Sequence, residues 1–365
     1  MGALMLLAKS CLYMIASACC ATTALASGLR GQDGTTRFRG GDPRLTEPAL
    51  EEMTKAWIFC EGQALAIAKL QSDFPEMANR FELAQRKFEA QFRPACNSIE
   101  LLLERETGKW TQLRVDLRSR LEREMAALVH DQDGATMMLD LLDRRTRGED
   151  IDSPTIEALL YSHPRYRATP SRELLDGFKV RFASDGKSKS KGVKFHLDHP
   201  QSWAAKEGDR PNIVRKFVSE NGRGLEMAMV IVKTLPAEAH GISEEEWAQE
   251  FRRMASSGEL AEDLPAGFVY VEGAYHGLDG APGYVRKLRG SQKRIDGMLF
   301  SVMLEYTCCW NGRFIGLHFS TAVGHPPDAV VDAEVEAKRA EERFQHWKPL
   351  FHAMAGKFVI DSKWE

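Results

Sequence analysis

The sequence predicts an α+β protein in two parts: an all-helical domain, then an antiparallel-sheet α/β sandwich. Three observations predict it. From residue 48 to about residue 161 every strongly periodic segment has helical spacing. Residues 298–323, MLFSVMLEYTCCWNGRFIGLHFSTAV, read as two long strands joined at Asn311-Gly312, the dipeptide best suited to a tight hairpin. Near the end, Val330, Ala333, Ala337, Ala340, Phe344, Trp347, Phe351 and Met354 recur every three or four residues as one long helical seam. A chain of 365 residues is long enough for about two domains, and its net charge of -3 leaves no footprint for nucleic acid.

The first residues read as an address. Lys9 precedes an apolar run from Cys11 to Cys20, and Ala24-Leu25-Ala26 supplies the small-x-small pattern of a signal peptidase site. A signal peptide of residues 1–26 is therefore expected, with Ser27 as the mature terminus. A rival processing site is Ala16-Ser17-Ala18-Cys19, which would leave a lipid anchor on Cys19. It ranks second because the large aliphatic residue usual three places before the cysteine is missing. Either route exports the chain to the periplasm or medium. No other segment is long and apolar enough to cross a membrane. Residues 27–47, rich in Gly, Arg, Asp and Thr, are expected to be a disordered leader.

The helical domain is expected over residues 48–165. Its first helix, residues 49–70, aligns Met53, Trp57, Cys60 and Ala64. Pro75 restarts the chain as a second helix with Met77, Phe81, Ala84, Phe88 and Phe92 on one face, which Pro94 should end or kink. A third helix is expected over residues 99–129, interrupted near Gly108, and a fourth over residues 135–145. Cys60 and Cys96 fall on adjacent helices in a compartment where disulfides persist, so they are expected to be bonded. Cys308 and Cys309 are neighbours on a strand and point to opposite faces, which predicts two reduced thiols.

Residues 166–192, with Pro170, Gly177 and an interleaved Lys/Ser run, read as a linker. From 193 to 365 the periodicity alternates. Val193, Phe195 and Leu197 make a strand ending at Pro200, and residues 213–218 and 225–233 form a hairpin around Asn221-Gly222. Ser243 and Glu246 make a capping box, with Ile242 and Trp247 as its hydrophobic staple. Strands follow at residues 268–275 and 284–290, then the central hairpin, the long helix with Pro349 as a kink, and a short strand at 358–360.

A two-residue loop fixes the register of the central hairpin. Cys308 then faces Ile315, Tyr306 faces Leu317 and Leu304 faces Phe319 on an apolar side that must be buried. The other side pairs Cys309 with Phe314, Thr307 with Gly316, Glu305 with His318 and Met303 with Ser320. It is mixed, and chemistry in this hairpin belongs there.

Phe195-His196-Leu197-Asp198-His199-Pro200-Gln201-Ser202-Trp203, with the Asn221-Gly222 hairpin, the Ser243-capped helix, the long hairpin and the closing helix, resembles the PsbP-like fold. That family takes its name from an extrinsic photosystem II subunit. The resemblance covers about residues 193–360 and implies a non-enzymatic accessory or binding protein. The large helical domain in front departs from the family, so no photosystem role is carried over.

Two groups of polar residues are candidate sites. Glu305 and His318, directly opposed across the hairpin, suit an acid/base pair, a ligand contact or a pH sensor, although a plain cross-strand pair is the simpler account. His196, Asp198 and His199 offer ligand types that suit a divalent metal. A polar strand face running into a turn explains them as well, since zinc wants three or four convergent ligands. Asp131-Gln132-Asp133-Gly134 fails as a calcium loop and reads as a helix start capped by Asp133. No HExxH, GxSxG, P-loop, paired CxxC or dinucleotide fingerprint occurs, and no cofactor is expected. The expectation is a non-catalytic exported binding or accessory protein, its helical domain contacting a protein partner or a second copy. The alternative is a metal-dependent or acid/base hydrolase using His196, Asp198, Glu305 and His318.

Overall fold

The computed structural model describes residues 38–39, 42–43, 46–126, 131–262, 264–294, 297–326 and 329–365. The signal peptide, the alternative anchor at Cys19 and nearly all of the expected leader lie outside them; within the leader, Phe38–Arg39 pairs with Asp42–Pro43 in a two-residue antiparallel ladder. The chain divides into two compact units, one ending at Arg167 and the other running from Ala168 to Glu365 together with residues 37–43.

The first unit is helical. Its elements are α1 (Glu47–Asp73), α2 (Ala78–Thr107), α3 (Trp110–Ala126), α4 (Gln132–Thr146), α5 (Ser153–Ser162) and α6 (Pro164–Ala168). α1 packs on α2, α3 and α5, and α2 on α4. Ile67, Leu70, Met77, Phe81, Ala135, Met138, Leu139 and Leu142 bury one core between α1, α2 and α4. Trp57 meets Trp110 edge-on at 5.1 Å. Cys60 and Cys96 are joined by a disulfide with their Cα atoms 6.4 Å apart, tying α1 to α2.

The helix boundaries differ from the sequence reading. α2 continues through Pro94 and stops at Gly108, whose φ of 61° only glycine adopts without strain. Pro94 and Ala90, whose carbonyl loses its donor, are both exposed, which leaves that carbonyl on the solvent side of the helix, and the helix goes on. Residues 99–107 therefore belong to α2. α4 is capped by Asp131, not Asp133: the Gly134 N–H donates to Asp131 Oδ1 at 2.7 Å.

The second unit is a sandwich. Where a linker is expected it forms α7 (Ser171–Leu175) and β1 (Lys179–Asp185), and it continues with β2 (Lys194–Pro200), β3 (Ala204–Glu207), β4 (Ile213–Val218), β5 (Met227–Thr234), α8 (Glu244–Ser257), β6 (Phe268–Tyr275), β7 (Gly283–Arg294), β8 (Gly297–Trp310), β9 (Arg313–His325) and α9 (Ala333–Ala355). β1 and β2 pair as a two-stranded sheet. The other seven strands form an antiparallel sheet in the order β3-β4-β5-β9-β8-β7-β6.

The hairpin β8–β9 sits at the middle of this sheet, and its register is the one the Asn311-Gly312 turn predicts, from Trp310 opposite Arg313 to Val302 opposite Thr321. Its apolar side, the inner one, shares a core with Phe195, Leu197, Phe217, Val230, Phe344 and Phe351. α9 lies on that side and also passes its proline: Pro349 and Gln345 are exposed, as Pro94 and Ala90 are. Of the expected last strand only Val359 pairs, exchanging both backbone bonds with His196, while Phe358 and Ile360 are buried in the core.

Candidate functional site

The outer face of the seven-stranded sheet is ordered by register. Cross-strand pairing sets Lys216, Met229, His318, Glu305 and Arg286 in one row from β4 to β7. The next row holds Val218, Met227, Ser320, Met303 and Leu288. On the other side of the charged row lie Ile231, Gly316, Thr307 and Tyr284.

Glu305 is the centre of the charged row. Its side chain is only 4% exposed. Arg286 Nε donates to Oε2 at 2.7 Å, and His318 Nδ1 lies 3.3 Å from Oε1. Arg286 is itself held by the carbonyls of Leu260 and Glu262, at 3.2 Å each. Burial holds the His318 imidazole below its ordinary pKa. The Glu305 charge pulls the other way, and the positive charges of Arg286 and Lys233 add to the burial effect. His318 is thus neutral near pH 7. Its Nε2 is shut off from solvent and has no hydrogen-bond partner. That nitrogen lies over Gly316, where a Cβ would come within 2.8 Å of it.

α8 covers one side of this face. Ser243 and Glu246 form the expected capping box, and Phe251 is buried with Leu260, Tyr284 and Cys309, flanked by Trp247, Met254 and Phe314. The helix rests on β6, β7 and β8. Met227, Met229, Ile231 and Met303 are half-buried. Cys308 lies in the inner core and Cys309 under α8; both are reduced, and burial pushes Cys309 up to about 12.

The structure does not gather His196, Asp198 and His199 into a site. His196 Nδ1 is 2.7 Å from Asp361 Oδ1. Asp198 is paired with Arg181 Nε and Lys179 Nζ, at 2.7 Å each, and the Arg181 bond leads in holding its carboxyl well below the usual range. His199 is buried against the Phe217 ring at 4.6 Å, and burial lowers its pKa to about 4. β2 lies on the inner side of the sheet, since Phe195 and Leu197 share the core with Leu304 and Tyr306. Glu305 and His318 are on the outer side, so the four residues of a hydrolase do not meet in one pocket. Among the described residues no group of three His, Cys, Asp or Glu side chains is placed to hold a metal.

Sequence reasoning missed Arg286 and Met229, the two residues flanking the Glu305–His318 pair. Both strands were expected, but the expected strand carrying Arg286 ends at Gly290, whereas it pairs with β8 as far as Arg294 opposite Gly297, so sequence set no register between them. Also missed was Glu173, a fully buried carboxyl that accepts from the Ser202 N–H at 2.8 Å and hydroxyl at 2.7 Å; burial raises its pKa to about 7.

Among the described residues no helix is long and apolar enough to cross a membrane. No family model matches the chain, and no curated protein matches it. Solved structures do resemble it over about half its length. Cyanobacterial PsbP from Synechocystis is 15% identical over 50% of this chain and 92% of its own, with a TM-score of 0.29. LpqN of Mycobacterium tuberculosis, described as involved in cell envelope biogenesis, is 12% identical over 52% of this chain and 96% of its own, with a TM-score of 0.29. The Ran-binding protein Mog1p of Saccharomyces cerevisiae is 10% identical over 50% and 95%, with a TM-score of 0.30. These likenesses cover about half of this chain and carry neither a family nor an activity for it.

Proposed function

We propose that the protein is an exported, non-catalytic accessory or binding protein whose helical unit engages a protein partner and whose sandwich unit binds a ligand or a second partner. The observation that carries the reading is the surface of the helical unit. Leu101 is 72% exposed and Val115 52%, with Leu83 and Met137 also open to solvent on α2 and α4. Glu100 and Arg114, the immediate neighbours of Leu101 and Val115, are ion-paired between α2 and α3. Export is supported by the leader sequence and by the Cys60–Cys96 disulfide, a bond that persists in oxidising compartments.

A photo-crosslinking residue at position 101 or 115, compared with one at the exposed polar position Asp140, tests the reading in cells. A discrete adduct at 101 and 115 and none at 140 is expected. No adduct at either apolar position ends the partner role of the helical unit. Intact mass of the exported chain, expected to begin at Ser27, tests the address separately.

A second reading, acid/base hydrolysis, keeps one favourable observation: a neutral imidazole oriented by a buried carboxylate, with its other nitrogen unpartnered. It is tested by turnover of ester and glycoside panels with wild type against Glu305→Gln and His318→Ala. Equal background rates in all three remove it.

A further inference from the structure

The sandwich buries two carboxyls that are built alike except in one respect. Glu226, just ahead of β5, is fully buried; it accepts from the Ser219 hydroxyl at 2.7 Å and from the Arg343 guanidinium on α9. Glu173, on α7, is 4% exposed and accepts from the Ser202 N–H and hydroxyl. Among the described residues no cation pairs with it. α7 packs on β2 and α9, and the charged groups there bind elsewhere. On β2, His196 bonds to Asp361, Asp198 to Lys179 and Arg181, and His199 to the Pro200 carbonyl. On α9, Arg343 holds Glu226 and His346 lies against Trp347. On α7 itself Arg172 faces Asp176. A carboxyl buried among neutral donors without a cation keeps its proton where an exposed one would lose it.

Ser202 connects this acid to a strained turn. Its carbonyl accepts the Asn221 N–H at 2.8 Å. Between β4 and β5, Glu220, Asn221 and Gly222 all have positive φ, at 51°, 51° and 83°. Successive left-handed residues are disfavoured for L-amino acids, and Glu220 is among the side chains least suited to that region. Such a conformation persists only where its surroundings hold it. The outside clamps include the Ser202 carbonyl and Lys206 Nζ, which donates to the Gly222 carbonyl at 2.9 Å. Ser202 thus grips the acid with its N–H and hydroxyl and the turn with its carbonyl.

We propose that Glu173 and Ser202 form a proton switch for this turn: with its proton Glu173 stays in the core and Ser202 holds the left-handed conformation, and loss of the proton to solvent drives the carboxylate toward water, frees Ser202 and releases the turn. The Glu173 pKa, raised to about 7 by burial, puts the change near neutral pH. The sign follows from linkage. Opening returns the carboxyl to its ordinary value near 4.5, so opening is hardest below that pH, grows easier as pH rises toward 7, and levels off above it. The switch lies within the sandwich unit and does not depend on a partner of the helices.

The test uses the full mature chain labelled with ¹³C-glutamate and ¹⁵N. The Glu173 carboxyl resonance, assigned by its absence in Glu173→Gln, is expected to titrate near pH 7. The Glu220, Asn221 and Gly222 resonances are expected to move toward random-coil values with the same midpoint. Protection of the Asn221 amide, corrected for the intrinsic pH dependence of exchange, should fall about 10- to 100-fold between pH 5 and 7.5. In Glu173→Gln, which keeps an acceptor for the Ser202 N–H and carries no charge, the turn resonances and the protection should be level with pH. A Glu173 carboxyl that titrates in the ordinary carboxylate range, turn resonances that stay in place while it titrates, or the same pH response in Glu173→Gln each overturns the proposal.

Discussion

The two faces of the hairpin β8–β9 are made by alternate residues of the same two strands, yet they are built on different physics. On the inner face Val302, Leu304, Tyr306, Cys308, Ile315, Leu317 and Phe319 are all at most 5% exposed and pack against α9 and β2. On the outer face a buried charge row runs from Arg286 through Glu305 to His318, with half-buried methionines beside it. Burial of apolar side chains dominates the first face, with the Tyr306 hydroxyl paired to His352 Nδ1. The second keeps polar groups that must be satisfied one by one, and there the chain has room for function.

The largest effect separating the faces is expected from the inner one. Phe319 is fully buried and stacks on Phe351 with ring centroids 4.9 Å apart. Phe319→Ala is expected to cost about 4 kcal/mol, as buried Phe truncations do, read as a lower urea midpoint with an unchanged m-value. A loss under about 1 kcal/mol would mean that the inner face can collapse around the gap. Next is the charge row. Arg286→Met leaves Glu305 buried without its cation and is expected to cost about 3 kcal/mol. Adding Glu305→Gln removes the stranded charge and is expected to recover much of that loss. If the double variant is no better than the single one, Arg286 acts through its bonds to Leu260 and Glu262 instead.

The same contrast explains what could be read from sequence. The inner face was fully legible, because a two-residue turn at Asn311-Gly312 fixes the register and a strand period of two assigns every side chain to a face. The opposition of Glu305 and His318 followed from the same count. Their surroundings did not: sequence periodicity ends the Arg286 strand at Gly290, short of its pairing as far as Arg294 with Gly297, and Met229 lies on β5, which is far from β9 in sequence. β1 and β3 were missed for a local reason: KVRFASD and AAKE are exposed strands with few buried residues, so no alternation marks them. Pro94 misled in the opposite direction: the second helix was expected to end or kink there, and it runs on to Thr107, while the last helix passes Pro349 and stops at Gly356 as expected.

Histidines on the two faces sharpen the comparison through pH. His199, on the core side, has its pKa lowered to about 4 by burial, from an unfolded value near 6.5. The unfolded chain then binds the proton first, so the stability His199 contributes is complete above pH ~6.5 and is lost as pH falls toward 4. At pH 5 the loss is about 2 kcal/mol. Glu173, its pKa raised to about 7 by burial, acts the other way, losing stability as pH rises from the ordinary carboxylate range. The His199 share is therefore read as the difference between wild type and His199→Leu across pH 4–8. A difference that does not change with pH would place His199 outside the acid transition. His318 is lowered in the same direction and adds to the acid loss, which His318→Gln isolates.

The smallest effect concerns what covers the outer face. α8 begins with Ser243 accepting the Glu246 N–H, while Glu246 Oε2 accepts the Ser243 N–H at 2.8 Å, and it ends at Gly258. Of its residues only Phe251 is fully buried, with Trp247 and Met254 half-buried beside it, so the cap adds to a modest hold on the sheet. Ser243→Ala is expected to cost about 1 kcal/mol. Its more telling result is local: amide exchange should rise in α8 and at Tyr284 and Cys309 beneath it, and stay unchanged in the inner-face strands and in α9. Faster exchange confined to α8 would show that the outer face is closed by a helix of low local stability, which opens without unfolding the core. Exchange rising equally on both faces would show that the two are one cooperative unit despite their different construction.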